Sequence, residues 1–180
     1  MPTKTLFNSV VNWFIKQRIS QIESFIKEPH KTQEAVLFSH LLKSENTLYG
    51  KKYNFKEIAN ITDFQTNVPI VTYEDFEPYI ERTRRGEKDI IWAGSIKMFA
   101  KSSGTTNAKS KYIPITEDSL NECHYKAGKD LISIYANNHP ENKLFSNKNL
   151  RLGGSSEMYE NFNTKYGDLS AILIDNLPFW

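Results

Sequence analysis

A long amphipathic helix at the start of the chain is the feature that most restricts its fold. Apolar residues recur at steps of three and four over residues 4–27, and Pro29 marks the end of the run. Such spacing places one apolar stripe along a helix, and that stripe needs a covering surface. We favour packing against a domain body, because the polar face also carries Gln17 and Glu23. A helix lying on a membrane surface is the alternative.

Helical patterns dominate the first part of the chain, and short extended segments follow. Further helices are predicted over 32–44, from Thr72 to Gly86, and over about 117–136. Strands are predicted at 90–92, 96–100, 112–115, 150–152 and 170–174. This order predicts an α/β fold in which amino-terminal helices precede a mixed sheet with helices.

The chain length fits one domain with its own core. A chain of 180 residues buries enough surface to fold without disulfides. We divide it into a helical region, 1–46, and a sheet-containing part, 47–180. No internal repeat or low-complexity linker separates the two.

Composition argues against several classes of protein. Lys and Arg number 23 against 21 Asp and Glu, which lacks the basic excess of nucleic-acid-binding domains. No apolar run approaches the roughly 20 residues of a membrane span, and the start does not resemble a signal peptide. The single cysteine, Cys123, suits a reducing compartment, so we expect a cytoplasmic protein in which this thiol is buried.

A cluster of hydroxyl residues around one glycine is the strongest candidate site. It follows the apolar Phe99-Ala100 segment, and hydroxyl and backbone N–H groups at such a turn form a donor surface for phosphate oxygens. Taken alone, the cluster also fits an ordinary polar turn. The patterns of the common P-loop and of the dinucleotide fingerprint are absent. The candidate residues are Ser102, Ser103, Gly104, Thr105, Thr106 and Lys111.

The surroundings of this loop resemble the auxin-responsive-promoter (Gretchen Hagen) family of acyl-acid amido synthetases, within the firefly-luciferase superfamily. The similarity extends over about 47–180 and lies in three segments: Val68-Pro69-Ile70 with Tyr73, Ser102 to Thr106, and Lys111-Tyr112-Ile113-Pro114 with Thr116. The resemblance implies an incomplete piece of an adenylate-forming large domain. Family members are several-fold longer, so we expect an amino-terminal portion whose carboxy-terminal part lies elsewhere.

The resemblance also implies an activity. ATP with Mg²⁺ and a small carboxylic acid would form an acyl-adenylate, and an amine, typically an amino acid, would then form an amide. The hydroxyl residues of the loop would hold the phosphates and Lys111 would offset their charge; no catalytic residue is assigned. We expect the 180-residue chain to be inactive alone. The alternative is a non-catalytic α/β nucleotide-binding or interaction module.

One position departs from the family pattern, which usually has glycine where this chain has Ala108. Its methyl group disfavours positive φ, so the loop tip is expected to differ in shape.

Other clusters have structural explanations. The arginines at the end of the helix that begins at Thr72 complement its dipole, and Gly153-Gly154-Ser155-Ser156 fits a turn better than a second phosphate loop. His124 is expected to be a core residue. The remaining histidines lack the spacing of metal ligands, so we predict no protein metal site.

Overall fold

The computed structural model describes residues 2–102, 110–142, 154–161 and 163–177, with side chains from Trp13 onward. In chain order these residues form α1 (Pro2–Lys27), α2 (Pro29–Ser44), α3 (Leu48–Lys52), α4 (Ile61–Asn67), α5 (Tyr73–Arg84), β1 (Met98–Lys101), β2 (Tyr112–Ile115), α6 (Lys126–Asn138), β3 (Met158–Asn161), β4 (Thr164–Gly167) and α7 (Leu169–Asp175). A 3₁₀ turn covers Phe55–Glu57, and a π-helical segment, Ser119–Tyr125, leads into α6.

Two compact units make up the molecule. The first combines Met1–Gln33 with Asp118–Leu152, and the second combines Glu34–Glu117 with Gly153–Trp180. Each unit therefore draws on two separate stretches of the chain. The division at residue 46 follows the order of elements along the sequence and stays a prediction.

In the first unit, α1 packs along α6. The guanidinium of Arg18 binds the carboxylate of Asp130 through two nitrogens, and its Nη2 lies 2.7 Å from Oδ2. Helix α1 confirms the helix predicted over 4–27. The next helix starts at Pro29 instead of Thr32, because the first turn of a helix does not use the N–H that proline lacks.

The second unit contains a mixed four-stranded sheet in the order β2-β1-β4-β3. Strand β1 is antiparallel to β2 and parallel to β4, while β3 and β4 are antiparallel. The buried core of this unit joins Ile80 of α5 to Ile96, Phe99 and Tyr166. Helices followed by a mixed sheet confirm the predicted α/β class, and the central position of β1 fixes where the candidate loop leaves the sheet.

Two predicted strands are wrong. Residues 170–174 lie in the helix α7, which buries Ala171 and Ile172. Residues 90–92 form a bend, because the carbonyl oxygens of Asp89 and Ile90 accept hydrogen bonds from Leu48 and Tyr49 at the start of α3. Those carbonyls are therefore unavailable to a neighbouring strand. The strand predicted at 150–152 lies outside the described residues.

Further features were not expected. Helices α3 and α4 and the hairpin of β3 and β4 occupy segments for which no helix or strand was predicted. The Cys123 thiol, predicted to be buried, is exposed, because Leu120 is the buried residue of the π-helical segment.

Candidate functional site

The candidate phosphate loop is carried by a hairpin of β1 and β2. The register pairs Lys101 with Tyr112, and a further pair of hydrogen bonds extends the hairpin by one step. Ser102 N–H donates to the Lys111 carbonyl, and Lys111 N–H donates to Ser102 Oγ, each over 2.9 Å. The loop therefore starts at the carboxyl end of a central strand, which is where open α/β sheets bind ligands.

Of the six candidate residues, the structure describes Ser102 and Lys111 and brings them together. The two residues face each other across the base of the loop. Ser103, Gly104, Thr105 and Thr106 lie outside the described residues, as does Ala108. The strands on either side, β1 and β2, agree with those predicted from the sequence at 96–100 and 112–115.

The first turn of α5 holds the hairpin base from one side. A capping box, in which Thr72 and Asp75 exchange hydrogen bonds, begins this helix at Thr72, where the sequence predicted its start. The hydroxyl of Tyr73 accepts a hydrogen bond of 2.9 Å from Tyr112 N–H and lies 3.4 Å from its carbonyl oxygen. The backbone beside Lys111 is therefore fixed by the start of α5.

The side chain of Lys111 lies against the same turn. Its Nζ is 3.0 Å from Glu74 Oε1 and 4.8 Å from the centre of the Tyr73 ring. The hydrogen bond from Lys111 holds the pKa of the exposed Glu74 carboxyl below its usual value, with a backbone N–H contributing. The ammonium of Lys111 is thus a charge at the rim of the loop that already has a counter-ion.

No pattern in the sequence indicated this use of Tyr73 and Glu74. Tyr73 was named only within the family resemblance, and Glu74 was not among the candidate residues. Both contact residues nearly 40 positions further along the chain, a separation that no local pattern reveals.

The arginines at the end of α5 are held by other side chains. Arg82 pairs with Glu87 at 2.6 Å, and Arg84 pairs with Glu81 while its Cζ lies 3.6 Å from the centre of the Tyr112 ring. A cavity of about 370 Å³ is lined by Glu81, Arg84, Arg85, Asn161 and Tyr166. Of its charged lining residues, Arg84 is paired with Glu81, in keeping with a structural role for that arginine.

A layer of aromatic rings lies beside this cavity. Tyr159 stacks on Tyr166 with ring centres 5.1 Å apart, and its hydroxyl lies 3.4 Å from that of Tyr112. Burial, with this hydroxyl contact, raises the pKa of Tyr159 to about 12. Tyr159 and Tyr112 contact Tyr166 from two sides in one aromatic cluster.

The glycine-rich segment before β3 behaves as a turn in its described part. Gly154 N–H donates to Ser170 Oγ over 3.1 Å, and Ser155 N–H donates to Asp168 Oδ2 over 3.2 Å. A side chain at Gly154 would meet Asp168 at 2.9 Å. These two N–H groups already have acceptors within the protein, which agrees with the turn predicted from the sequence.

Within the described residues, no group of three or more His, Cys, Asp or Glu side chains is placed to hold a metal ion. In the same part of the chain, the helices include none that is long and apolar enough to cross a membrane.

Comparison with known proteins now gives the family. Residues 18–179 match the family model described as the GH3 family N-terminal domain. The chain belongs to the GH3 family. The resemblance drawn from the loop and its flanking segments is therefore confirmed.

Individual GH3 proteins show how much of the family this chain spans. It is 35% identical over 100 residues to the indole-3-acetic acid-amido synthetase GH3.2 of Arabidopsis thaliana. These aligned residues make up 55% of this chain and 18% of that protein. It is 34% identical over 101 residues to the jasmonoyl-L-amino acid synthetase JAR4 of Nicotiana attenuata, covering 56% and 18% respectively. The chain thus spans about a fifth of the length of these relatives.

A solved structure of the GH3.15 acyl acid amido synthetase matches the fold with a TM-score of 0.72 at 25% identity. The match covers 88% of this chain and 28% of that structure. The helices and sheet described above are therefore a portion of the GH3 fold.

Proposed function

We propose that this chain supplies the phosphate-binding part of an ATP-dependent ligase that joins a carboxylic acid to an amine. The observation that carries the proposal is the hairpin base, where Ser102 and Lys111 pair at the carboxyl end of the central strand β1. Membership of the GH3 family supports the same activity.

In the proposed reaction, a carboxylate oxygen attacks the α-phosphorus of ATP, and the bond to the bridging oxygen breaks to release pyrophosphate. An amine then attacks the acyl carbon of the acyl-adenylate, which gives an amide and releases AMP. The protein contributes positioning and pre-arranged charge rather than a covalent intermediate. The phosphates would be held by Ser102, Ser103, Thr105 and Thr106, with Gly104 allowing close approach and Lys111 supplying positive charge.

The described residues fit phosphate better than metal. Ser102 brings a hydroxyl and Lys111 an ammonium to one rim, and both are groups that bind phosphate oxygens. Mg²⁺ commonly keeps several waters and binds through substrate phosphates with one or two carboxylates. We therefore assign Mg²⁺ to the bound nucleotide and name no ligand for it on this chain.

The substrates are inferred by class. Two relatives are named for an indole-3-acetic acid amide and a jasmonoyl amino acid, so we propose a small carboxylic acid and an amino acid. The carboxy-terminal part of the same enzyme is the partner needed to complete the active site. We propose the cytoplasm as its compartment, because the single cysteine can form no disulfide within the chain.

A non-catalytic nucleotide-binding or interaction module is the second candidate. It uses the same pairing of Ser102 with Lys111 at the hairpin base and needs no residue that activates an acid. Both candidates share the phosphate site, and they differ in whether an acid is activated.

The shared site is tested by equilibrium dialysis of the chain with MgATP. Each lost charge-assisted contact costs about 1.5–3 kcal/mol, so Thr105→Ala with Thr106→Ala should weaken binding at least about tenfold. The matched control is Thr62→Ala with Thr66→Ala in α4, which should leave affinity unchanged. Equal affinity of the loop variant and the parent chain would remove the loop from the proposal.

A further inference from the structure

The ammonium of Lys111 has a defined partner at the rim of the loop. Its Nζ lies 3.0 Å from Glu74 Oε1, although the side chains of Lys111 and Glu74 are 45% and 67% exposed. An ion pair this exposed contributes little to folding. The ion pair therefore matters for anion binding, because Glu74 partly neutralises the positive charge of Lys111.

Both partners are attached to fixed backbone. Glu74 is in the first turn of α5, immediately inside the capping box of Thr72 and Asp75. Lys111 is tied to Ser102 by two hydrogen bonds, and the next residue, Tyr112, is tied to Tyr73. These backbone contacts keep the carboxylate within reach of the ammonium.

We propose that Glu74 is the counter-ion that a polyphosphate must displace from Lys111, and that it thereby lowers the affinity of the loop for phosphate chains. The inference rests on the proposed phosphate role of Lys111. The displacement involves no covalent step: Lys111 exchanges one carboxylate for phosphate oxygens.

Electrostatics give the direction of the effect. A polyphosphate carries several negative charges, so it outcompetes a single exposed carboxylate for the ammonium. While it is bound, the carboxylate of Glu74 stays close by on α5 and repels it. Glu74→Gln removes this repulsion and weakens the competing contact, so both effects should tighten binding.

The experiment measures how inorganic tripolyphosphate and MgATP raise the thermal midpoint of the 180-residue chain at low micromolar protein, from which a dissociation constant follows. The variants are Glu74→Gln, Lys111→Ala and the double variant. Glu77→Gln removes the same charge from the same helix one turn further on and serves as the matched control.

Glu74→Gln should bind both ligands about three- to tenfold more tightly, and the gain should shrink at high salt. Lys111→Ala should weaken binding at least about threefold. In the Lys111→Ala background, Glu74→Gln should change affinity less than about twofold, as Glu77→Gln should in the parent chain. Ligand-free midpoints report any effect on folding separately.

The experiment distinguishes failure of the counter-ion role of Glu74 from failure of the phosphate role of Lys111. If Lys111→Ala weakens binding while Glu74→Gln leaves it unchanged or weaker, the counter-ion role is wrong and the phosphate site stands. An equal gain with and without Lys111, or with Glu77→Gln, also overturns the counter-ion role. If Lys111→Ala has no effect, or if no variant binds either ligand saturably, the phosphate role of Lys111 is overturned together with this inference.

Discussion

Ser102 and Lys111 stabilise the base of the loop in the absence of a ligand. The Ser102 hydroxyl accepts the backbone N–H of Lys111, so one residue of the proposed site holds another at the loop base. A hydroxyl cluster in a sequence cannot distinguish this role from phosphate binding, because both use the same atoms. The sequence placed Ser102 and Lys111 on either side of one loop, as the structure does, whereas the pairing of Lys111 with Glu74 was not predictable.

Ser102→Ala should lower the free energy of unfolding by about 0.5–1.5 kcal/mol, because the N–H of Lys111 loses its acceptor. Urea denaturation followed by circular dichroism measures the change. Ser110→Ala, in the same loop, is the comparison and should stay within about 0.5 kcal/mol of the parent chain. Equal stability of the Ser102 variant would mean that water replaces the lost contact without cost.

Helices whose ends are marked by capping residues or by proline were predictable from the sequence. The Thr72–Asp75 capping box predicts where α5 starts, and Pro29 separates α1 from α2. Short apolar runs were not predictable, because a run of four apolar residues suits a strand or one helical turn equally well. Residues 170–174 became part of α7, since burial of Ala171 and Ile172 decided between the two.

The hairpin of β3 and β4 escaped prediction for a related reason. Its strands include polar residues such as Glu160 and Lys165, and alternation over four positions is too short to stand out. Pairing with β1 stabilises β4 in the sheet, and that contact spans more than 60 residues. The strand conformation of β4 therefore depends on pairing with a distant strand, which the local sequence pattern does not reveal.

The capping box of α5 should make stability depend on pH. Hydrogen bonds from the Thr72 side chain and backbone hold the pKa of Asp75 below its usual value. A lowered folded pKa gives stability that is full above the unfolded pKa, about 3.9, and is lost as pH falls through the folded pKa. Asp75→Asn keeps an acceptor for Thr72 but removes the titration.

The thermal midpoint of the parent chain should therefore fall more steeply than that of Asp75→Asn between about pH 5 and pH 3. Glu77→Gln, outside the capping box, should follow the parent chain over this range. Parallel curves for the parent chain and Asp75→Asn would show that the capping box does not lower the pKa of Asp75 on folding.

At the scale of the whole molecule, the proposal gives this chain one part of an adenylating site. The described residues place Ser102 and Lys111 at the end of β1, and the family model that matches the chain is that of the N-terminal domain. Acyl-adenylate formation needs the phosphates, the adenosine and the acid held together, because its rate depends on orientation and pre-arranged charge. Phosphate contacts alone leave the acid without a position.

The 180-residue chain should accordingly show no acid-dependent exchange of pyrophosphate into ATP. A panel of small carboxylic acids provides the test, with the Arabidopsis indole-3-acetic acid-amido synthetase GH3.2 as positive control. Robust exchange by a monodisperse preparation would show that this portion of the fold is sufficient for catalysis.

Hydrogen–deuterium exchange of the chain with and without saturating MgATP tests the central claim most directly. Peptides covering residues 100–112 should gain protection when the nucleotide binds, because the loop N–H groups would donate to its phosphates. Peptides from α4 should not change. Unaltered exchange over 100–112, with protection appearing in the turn at Gly154 and Ser155 instead, would place the nucleotide elsewhere and contradict the account.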